Sequence, residues 1–203
     1  DKLREKMSDQ NVDLIVLSPG PNLNWLLGVN PHADERPLLF FFTLTSSAFL
    51  VPELEAESLR QHTDIGFYCW SDASGPSKAI DNILADLEKY SYRTIVVDDT
   101  MRADHAALVQ DKLINSNRFF TGTTIGALRM RKDATEQKIL RVNAHQADQA
   151  MQKAWNIIKP GLTEENIALE IQDCFSNQGA LPQFSIVASG SNSAFPHHQT
   201  GSR

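Results

Sequence analysis

Up to about residue 120, short apolar runs alternate with amphipathic stretches. This rhythm argues for strands separated by helices. "KLREKMSDQ" reads as a helix and "DLIVLS" as a buried strand rich in Ile, Leu and Val. "PGPN" is a turn, because Pro and Gly adopt dihedrals that a helix or strand refuses. "NWLLG" predicts one short helical turn, with Asn22 as N-cap and Gly28 as its stop. "LLFFFTL" and "SAFLV" predict two strands joined as a hairpin through "TSS". "PELEAESLRQH" predicts a helix that opens on Pro52, its early glutamates suited to the positive end of the dipole. "IGFYCW" and "TIVVD" read as strands, and "ADHAALVQDKLI" as a helix. "GPSKAIDNILADLEKY" reads as a helix with Ile80, Ile83, Leu84 and Leu87 on one face. The order predicts an α/β domain: a largely parallel sheet covered on both faces, made mixed by the hairpin.

The pattern changes near "TGTTIGALRMRKDATEQ". The Gly and Thr cluster reads as a linker and a new helix follows it. Asp133 can cap this helix, with Glu136 three residues on as in a capping box. Leu140, Ala144, Ala147, Met151, Ala154 and Ile158 recur at helical spacing. "KPG" stops the helix. Thr163 caps another, with Ile167, Ile171, Cys174 and Phe175 as its apolar face and Gly179 at its close. "FSIVA" reads as one strand. The expected division is a domain over 1–125, a linker over 126–132 and an incomplete domain over 133–203. A lone strand cannot satisfy its own backbone, so the second segment must lean on the first, on another subunit, or on residues beyond it.

Composition narrows the class. The chain has 203 residues, 41% hydrophobic and 22% charged, with a net charge of -6. That is ordinary globular composition, without the basic surface that nucleic acid needs. The apolar runs are too short to span a bilayer, and the N-terminus reads as having no secretory leader. The first residue is Asp1, so the natural start is expected to lie upstream. Cys69 and Cys174 lack metal-type spacing and read as reduced, buried thiols of a cytosolic protein.

Candidate chemistry is concentrated in two loops. In "SGSNSAFPHHQTGSR", His197 and His198 follow Pro196. An imidazole there could donate to a developing oxyanion or shuttle a proton near neutral pH. On the residues alone, an exposed pair or a chance metal clasp is the favoured reading. "NPHADERP" gathers His32, Asp34, Glu35 and Arg36 in one loop. A solvated loop with an internal Arg–carboxylate pair is the plainer reading, a metal site the sharper one. Glu136, Asp148, Glu164, Glu165, Glu170 and Asp173 read as solvated helix faces and caps. His62, His105 and His145 read as structural helix histidines, and Trp25, Trp70 and Trp155 as core. There is no G-x-S-x-G and no Gly-rich phosphate loop after a strand.

Five segments in order resemble the Xaa-Pro aminopeptidase, prolidase and creatinase family. "PNLNWLLGV" and "AFLVPELE" resemble its N-terminal domain, with Trp25 where the family has Tyr. "LRMRKDATEQKILRVNAHQADQA" resembles the first helix of its catalytic domain. "IKPGLTEENIA" matches its Pro-Gly-x-Thr-Glu junction, and "FSIVASGSNSAFPHH" its strand and Pro-His turn. The resemblance implies a creatinase/prolidase-type N-terminal domain, a ribonuclease-H-like mixed sheet between helices. The first helices and strand of an α+β pita-bread catalytic domain would follow it.

It also implies a cytosolic, homodimeric, proline-specific metallopeptidase, either a dipeptidase or an aminopeptidase. Such an enzyme uses two divalent metal ions, often manganese, to attack the amide bond before proline. His197 matches the Pro-His histidine that holds substrate and steadies the tetrahedral intermediate. His198 falls at a variable position and inherits no role. His32, Asp34, Glu35 and Arg36 resemble the loop that, in dimeric prolidases, reaches the neighbouring active site. The family's metal ligands, two Asp, one His and two Glu, lie downstream of the Pro-His turn. This chain alone is therefore expected to bind no catalytic metal pair and to hydrolyse nothing. Two other readings share the resemblance: a creatinase-like hydrolase working without metal, and a peptidase-like module that binds protein partners.

Overall fold

The structure is a computed structural model that describes residues 1–87 and 91–203. It divides into two compact units, Asp1–Arg131 and Lys132–Arg203.

The first unit is built on a six-stranded mixed sheet ordered β4-β3-β2-β1-β5-β6. The strands are β1 (Leu14–Leu17), β2 (Leu39–Thr43), β3 (Ser47–Pro52), β4 (Phe67–Trp70), β5 (Thr94–Val97) and β6 (Asn117–Phe120). The β2–β3 hairpin is antiparallel, with Phe41 opposite Ala48, and β1 pairs antiparallel with β2. The β1–β5, β3–β4 and β5–β6 pairings are parallel. The helices are α1 (Lys2–Asp9), α2 (Pro21–Leu27), α3 (Glu53–Arg60), α4 (Ser77–Leu87), α5 (Ala103–Lys112) and α6 (Ile125–Arg129).

Alternation along the strands sends neighbouring side chains to opposite faces. Ile15, Leu17, Phe40, Phe49, Val51 and Val96 meet Leu3 and Met7 of α1, Leu23 of α2, Leu59 of α3 and Ile125 of α6. Leu14, Val16, Phe41, Leu50, Ile95 and Val97 meet Ile80 and Ile83 of α4 and Val109 of α5. Helices thus cover both faces, which is why β1 is apolar at every position rather than at every second one.

Several expectations need correction. Asn22 is not the N-cap of α2. Gly20 precedes the helix, Pro21 occupies its first turn, and Asn22 lies buried inside it. Pro is favoured there because its missing N–H is an orphan donor in any case. Strand β6 escaped the sequence reading because it is short, begins with Asn and Arg, and is exposed along its length. Residues expected to form a linker carry most of α6, pinned by fully buried Ile125. Trp70 is core, its indole N–H donating to the Pro37 carbonyl at 3.0 Å, but Trp25 and Trp155 are exposed. Cys69, on edge strand β4, is exposed and Cys174 is half-buried. An edge strand covers its outer side chains less completely than a central one. The predicted C-terminal end of α4, 88–90, lies outside the described residues.

The second unit is two packed helices and a long loop. Helix α7 (Ala134–Ile157) opens on the expected capping box between Asp133 and Glu136. Helix α8 (Glu164–Ser176) opens on a second box between Thr163 and Asn166. The helices pack on each other, with Ala150 and Ala154 of α7 and Ala168 of α8 buried. Small side chains let the helices approach, whereas Leu140, Met151 and Ile158 of the expected apolar face stay exposed. "FSIVA" is not a strand: among the described residues no ladder partner accompanies it, and the Val187 N–H goes to Thr200 Oγ1 at 2.9 Å.

Candidate functional site

The most organised polar centre of the second unit lies at the start of α8. Glu164 was expected on a solvated face, yet its side chain is only 1% exposed. Its Oε1 accepts the Ser189 N–H at 2.6 Å, the Ser189 hydroxyl at 3.0 Å and the Asn192 amide at 2.9 Å. Its Oε2 accepts from His198 Nε2 at 2.7 Å and from the Gly201 N–H at 3.3 Å. Burial by itself would raise the carboxyl's pKa. The hydrogen bonds from Asn192, His198 and Ser189 outweigh it and hold the group well below the usual carboxylate range.

The same end of α8 is closed by backbone bonds. The Glu164 N–H donates to the Arg203 carbonyl at 2.7 Å, and the Glu165 N–H to the Gly201 carbonyl at 3.0 Å. Two of the helix's orphan donors are satisfied by the loop itself. Gly190 sits at φ +55 against the Arg203 guanidinium, where a Cβ would come within 2.6 Å of Nη2. Arg203 Nη1 donates to Ser191 Oγ at 2.7 Å. The loop is thereby folded back on α8 from both ends.

This arrangement separates the two histidines. The His198 side chain is 17% exposed and tied to Glu164. A carboxylate only accepts, so Nε2 carries a proton in this contact. The His197 side chain is exposed to solvent on the same turn. The remaining carboxylates fit their expected places better. Asp148, Glu165 and Asp173 are exposed, Glu136 closes its capping box, and Glu170 pairs with Lys153 at 2.9 Å.

In the first unit, the 31–37 loop is clasped to the sheet rather than free. Arg36 makes a bidentate pair with Asp72 at 3.0 and 2.9 Å, and its N–H donates to Asp34 Oδ1 at 2.8 Å. Glu35 lies 3.6 Å from the Arg36 guanidinium. His105, expected to be merely structural, is buried on α5 with Nε2 3.2 Å from the Glu35 carbonyl. Arg102 pairs with Asp104 beside it and holds that carboxyl down at about 2. His32 instead faces a groove of about 490 Å³ that it lines with Glu55, Ser58 and His62.

A buried polar cluster at the carboxyl ends of β1 and β5 was not foreseen. The Asn22 amide donates to Asp98 Oδ1 at 3.1 Å and to Thr121 Oγ1 at 3.3 Å. Arg129 donates to Asn22 Oδ1, and Thr121 to Asp99. The cluster joins α2, β5 and α6. Its sequence signal is faint: Asn22 is one of two asparagines in α2, and Asn24 is exposed. For Glu164 the signal is the Thr-Glu pair of the helix junction, which by itself marks only the start of a helix.

Among the described residues, no group of three or more His, Cys, Asp or Glu side chains gathers closely enough to hold a metal ion. No described helix is long and apolar enough to cross a membrane.

The creatinase/prolidase N-terminal domain model matches residues 1–131, and that of metallopeptidase family M24 matches 138–203. The chain belongs to the creatinase/prolidase family. It is 27% identical over 197 residues to a probable dipeptidase PepE of Mycobacterium tuberculosis, covering 94% of this chain and 51% of that protein. It is 25% identical over 198 residues to an Xaa-Pro dipeptidase of Pyrococcus horikoshii, covering 97% and 53%. The crystal structure of dipeptidase PepE from Mycobacterium ulcerans superposes with a TM-score of 0.89 at 24% identity. That alignment covers all of this chain and 55% of the other, and shows that the two share a fold. The chain spans about half the length of the curated relatives it matches. The M24 name implies divalent metal, and the described residues do not gather a site that fits it.

Proposed function

We propose that the complete protein is a proline-specific dipeptidase, to which this chain contributes an N-terminal domain over 1–125, a connector over 126–132 that is helical through Arg129, and the opening of a catalytic domain over 133–203. The observation that carries the reading is similarity along nearly the whole chain to proteins named dipeptidase and Xaa-Pro dipeptidase. These names favour a dipeptidase over an aminopeptidase. Two divalent metal ions, manganese by preference, belong to the proposed enzyme and are held by residues outside this chain. The proposal includes a homodimer in the cytosol. The free thiols support the compartment. The proposal gives the loop bearing His32, Asp34, Glu35 and Arg36, which the Arg36–Asp72 pair holds in place, a role at a neighbouring subunit's site.

His197 is the chain's own contribution to chemistry. An exposed imidazole on a loop with a stiff Pro196 approach can donate a hydrogen bond to a carbonyl oxygen as it gains charge. It can also orient the carboxylate of a short substrate.

The test is hydrolysis of an Xaa-Pro dipeptide by the complete protein, before and after chelation and manganese resupply, with a proline-free dipeptide as control. The reading expects proline-dependent, chelator-sensitive turnover, and a fall of about 10²–10³ in kcat for His197→Ala. Absence of turnover in the metal-supplied wild type overturns it.

A further inference from the structure

We infer that Glu164 is a positioning residue for His197, and that His198 is the anchor through which it acts. The inference rests on the peptidase reading for what His197 does, but its geometry stands independently. Two adjacent histidines on one turn have opposite surroundings: His198 is held at 2.7 Å by a carboxylate that is 1% exposed, while His197 is exposed. A single carboxylate binds the loop at Ser189, Asn192, His198 and Gly201. These contacts bracket His197 on both sides along the chain. The carboxylate is itself fixed, since Glu164 begins α8 immediately after the Thr163 capping box. A rigid helix end therefore sets the height and direction of the turn. Catalytic geometry tolerates little displacement, and an ångström of misplacement can cost about a hundredfold in rate.

The chemistry also explains why the anchor is a histidine. The imidazole N–H reaches a carboxylate that is already satisfied on its other oxygen by three donors. A glutamine at 164 would keep one carbonyl oxygen for Ser189 and Asn192. It would turn an NH₂ toward the His198 and Gly201 donors. Glu164→Gln is thus a lesion of one half of the hub, with nearly unchanged volume.

The experiment has two arms on the complete protein. In the first, imidazole ¹⁵N–¹H spectra at neutral pH read the His198 Nε2–H. It should exchange slowly in the wild type and quickly in Glu164→Gln, with the His197 resonances shifted between the two. In the second, kcat and KM for an Xaa-Pro dipeptide are measured per folded molecule. Glu164→Gln and His198→Ala should each lower kcat about 10- to 100-fold with KM changed less than about threefold. His198→Gln, which restores an N–H near the Nε2 position, should recover most of that loss. A purely structural role predicts a lower folded fraction with unchanged kcat per folded molecule and no rescue, and that result overturns the inference. If the metal-supplied wild type hydrolyses nothing, the peptidase reading falls and the spectra alone decide. A His197 environment that ignores Glu164→Gln then overturns the inference, and one that follows it supports positioning.

Discussion

The side-chain amide of Asn22 donates to Asp98 Oδ1 at 3.1 Å, although the two residues are 76 positions apart and both are buried. The contact ties the first turn of α2 to the end of β5. Arg129 completes it by donating to the amide oxygen of Asn22. Removing the amide would take one partner each from the buried Asp98 carboxylate and Thr121 hydroxyl, which keep Thr100 and Asp99, and from the half-buried Arg129 guanidinium. Each such hydrogen bond lost costs about 0.5–1.5 kcal/mol, and more where a charged group loses it. Asn22→Ala is therefore expected to lower stability by about 2–4 kcal/mol. The check is the urea midpoint followed by tryptophan fluorescence, with buried Trp70 as the reporter. A loss below about 0.5 kcal/mol, the range of an ordinary surface change, would contradict it.

Glu164 makes the second unit acid-sensitive. Its carboxyl pKa is lowered from the ordinary 4.5 in the folded state, because the donors around it outweigh burial. A depressed folded pKa contributes stability that is fully present above the unfolded value. That stability is lost as the pH falls through the folded pKa. The 187–203 loop should therefore be fully ordered above about pH 5 and loosen progressively below the ordinary glutamate range. Amide exchange at Ser189 and Gly201, followed from pH 6 down to 3, should show this opening. In Glu164→Gln the same amides should exchange faster at pH 6 and show a shallower acid dependence.

The sequence disclosed some of this architecture and hid the rest for physical reasons. Strands β1, β2 and β3 were readable because both faces of the sheet are covered, so their apolar residues run on without interruption. Asp133 and Thr163 were readable because a capping box is a local motif whose partners lie three residues apart. Asn22 misled because asparagine is a good N-cap on local grounds, while its real partners are 76 to 107 residues away. Glu164 stayed hidden for the same reason: its partners lie 25 to 37 residues on, in a loop without periodicity. Strand β6 gave no signal, because a four-residue edge strand that is exposed throughout has no pattern to show.

The clasp of the 31–37 loop should be electrostatic in origin and local in effect. Arg36 and Asp72 are 34% and 62% exposed, so their bidentate pair adds little to global stability. It does fix where the loop's charged residues sit. Asp72→Asn should leave the urea midpoint within error of wild type, yet raise amide exchange across 32–36. In the wild type, the same exchange should rise with salt, because exposed ion pairs are screened. If exchange in this loop responds to neither the substitution nor salt, the clasp is not what orders it.

Ile83 and Leu140 both sit at helical spacing among apolar residues, and the sequence alone treats them alike. The structure separates them. Ile83 on α4 is fully buried against the sheet, whereas Leu140 on α7 is 51% exposed. Truncating Ile83 removes apolar surface from a packed interior and leaves a cavity. Truncating Leu140 removes surface that water already reaches. Ile83→Ala should cost about 2–5 kcal/mol, and Leu140→Ala about 0.5 kcal/mol or less in this chain. Paired urea titrations of the two variants measure the contrast directly. Equal losses would mean that α7 buries its apolar row as fully as α4 does, and that the exposed face described for the second unit is wrong.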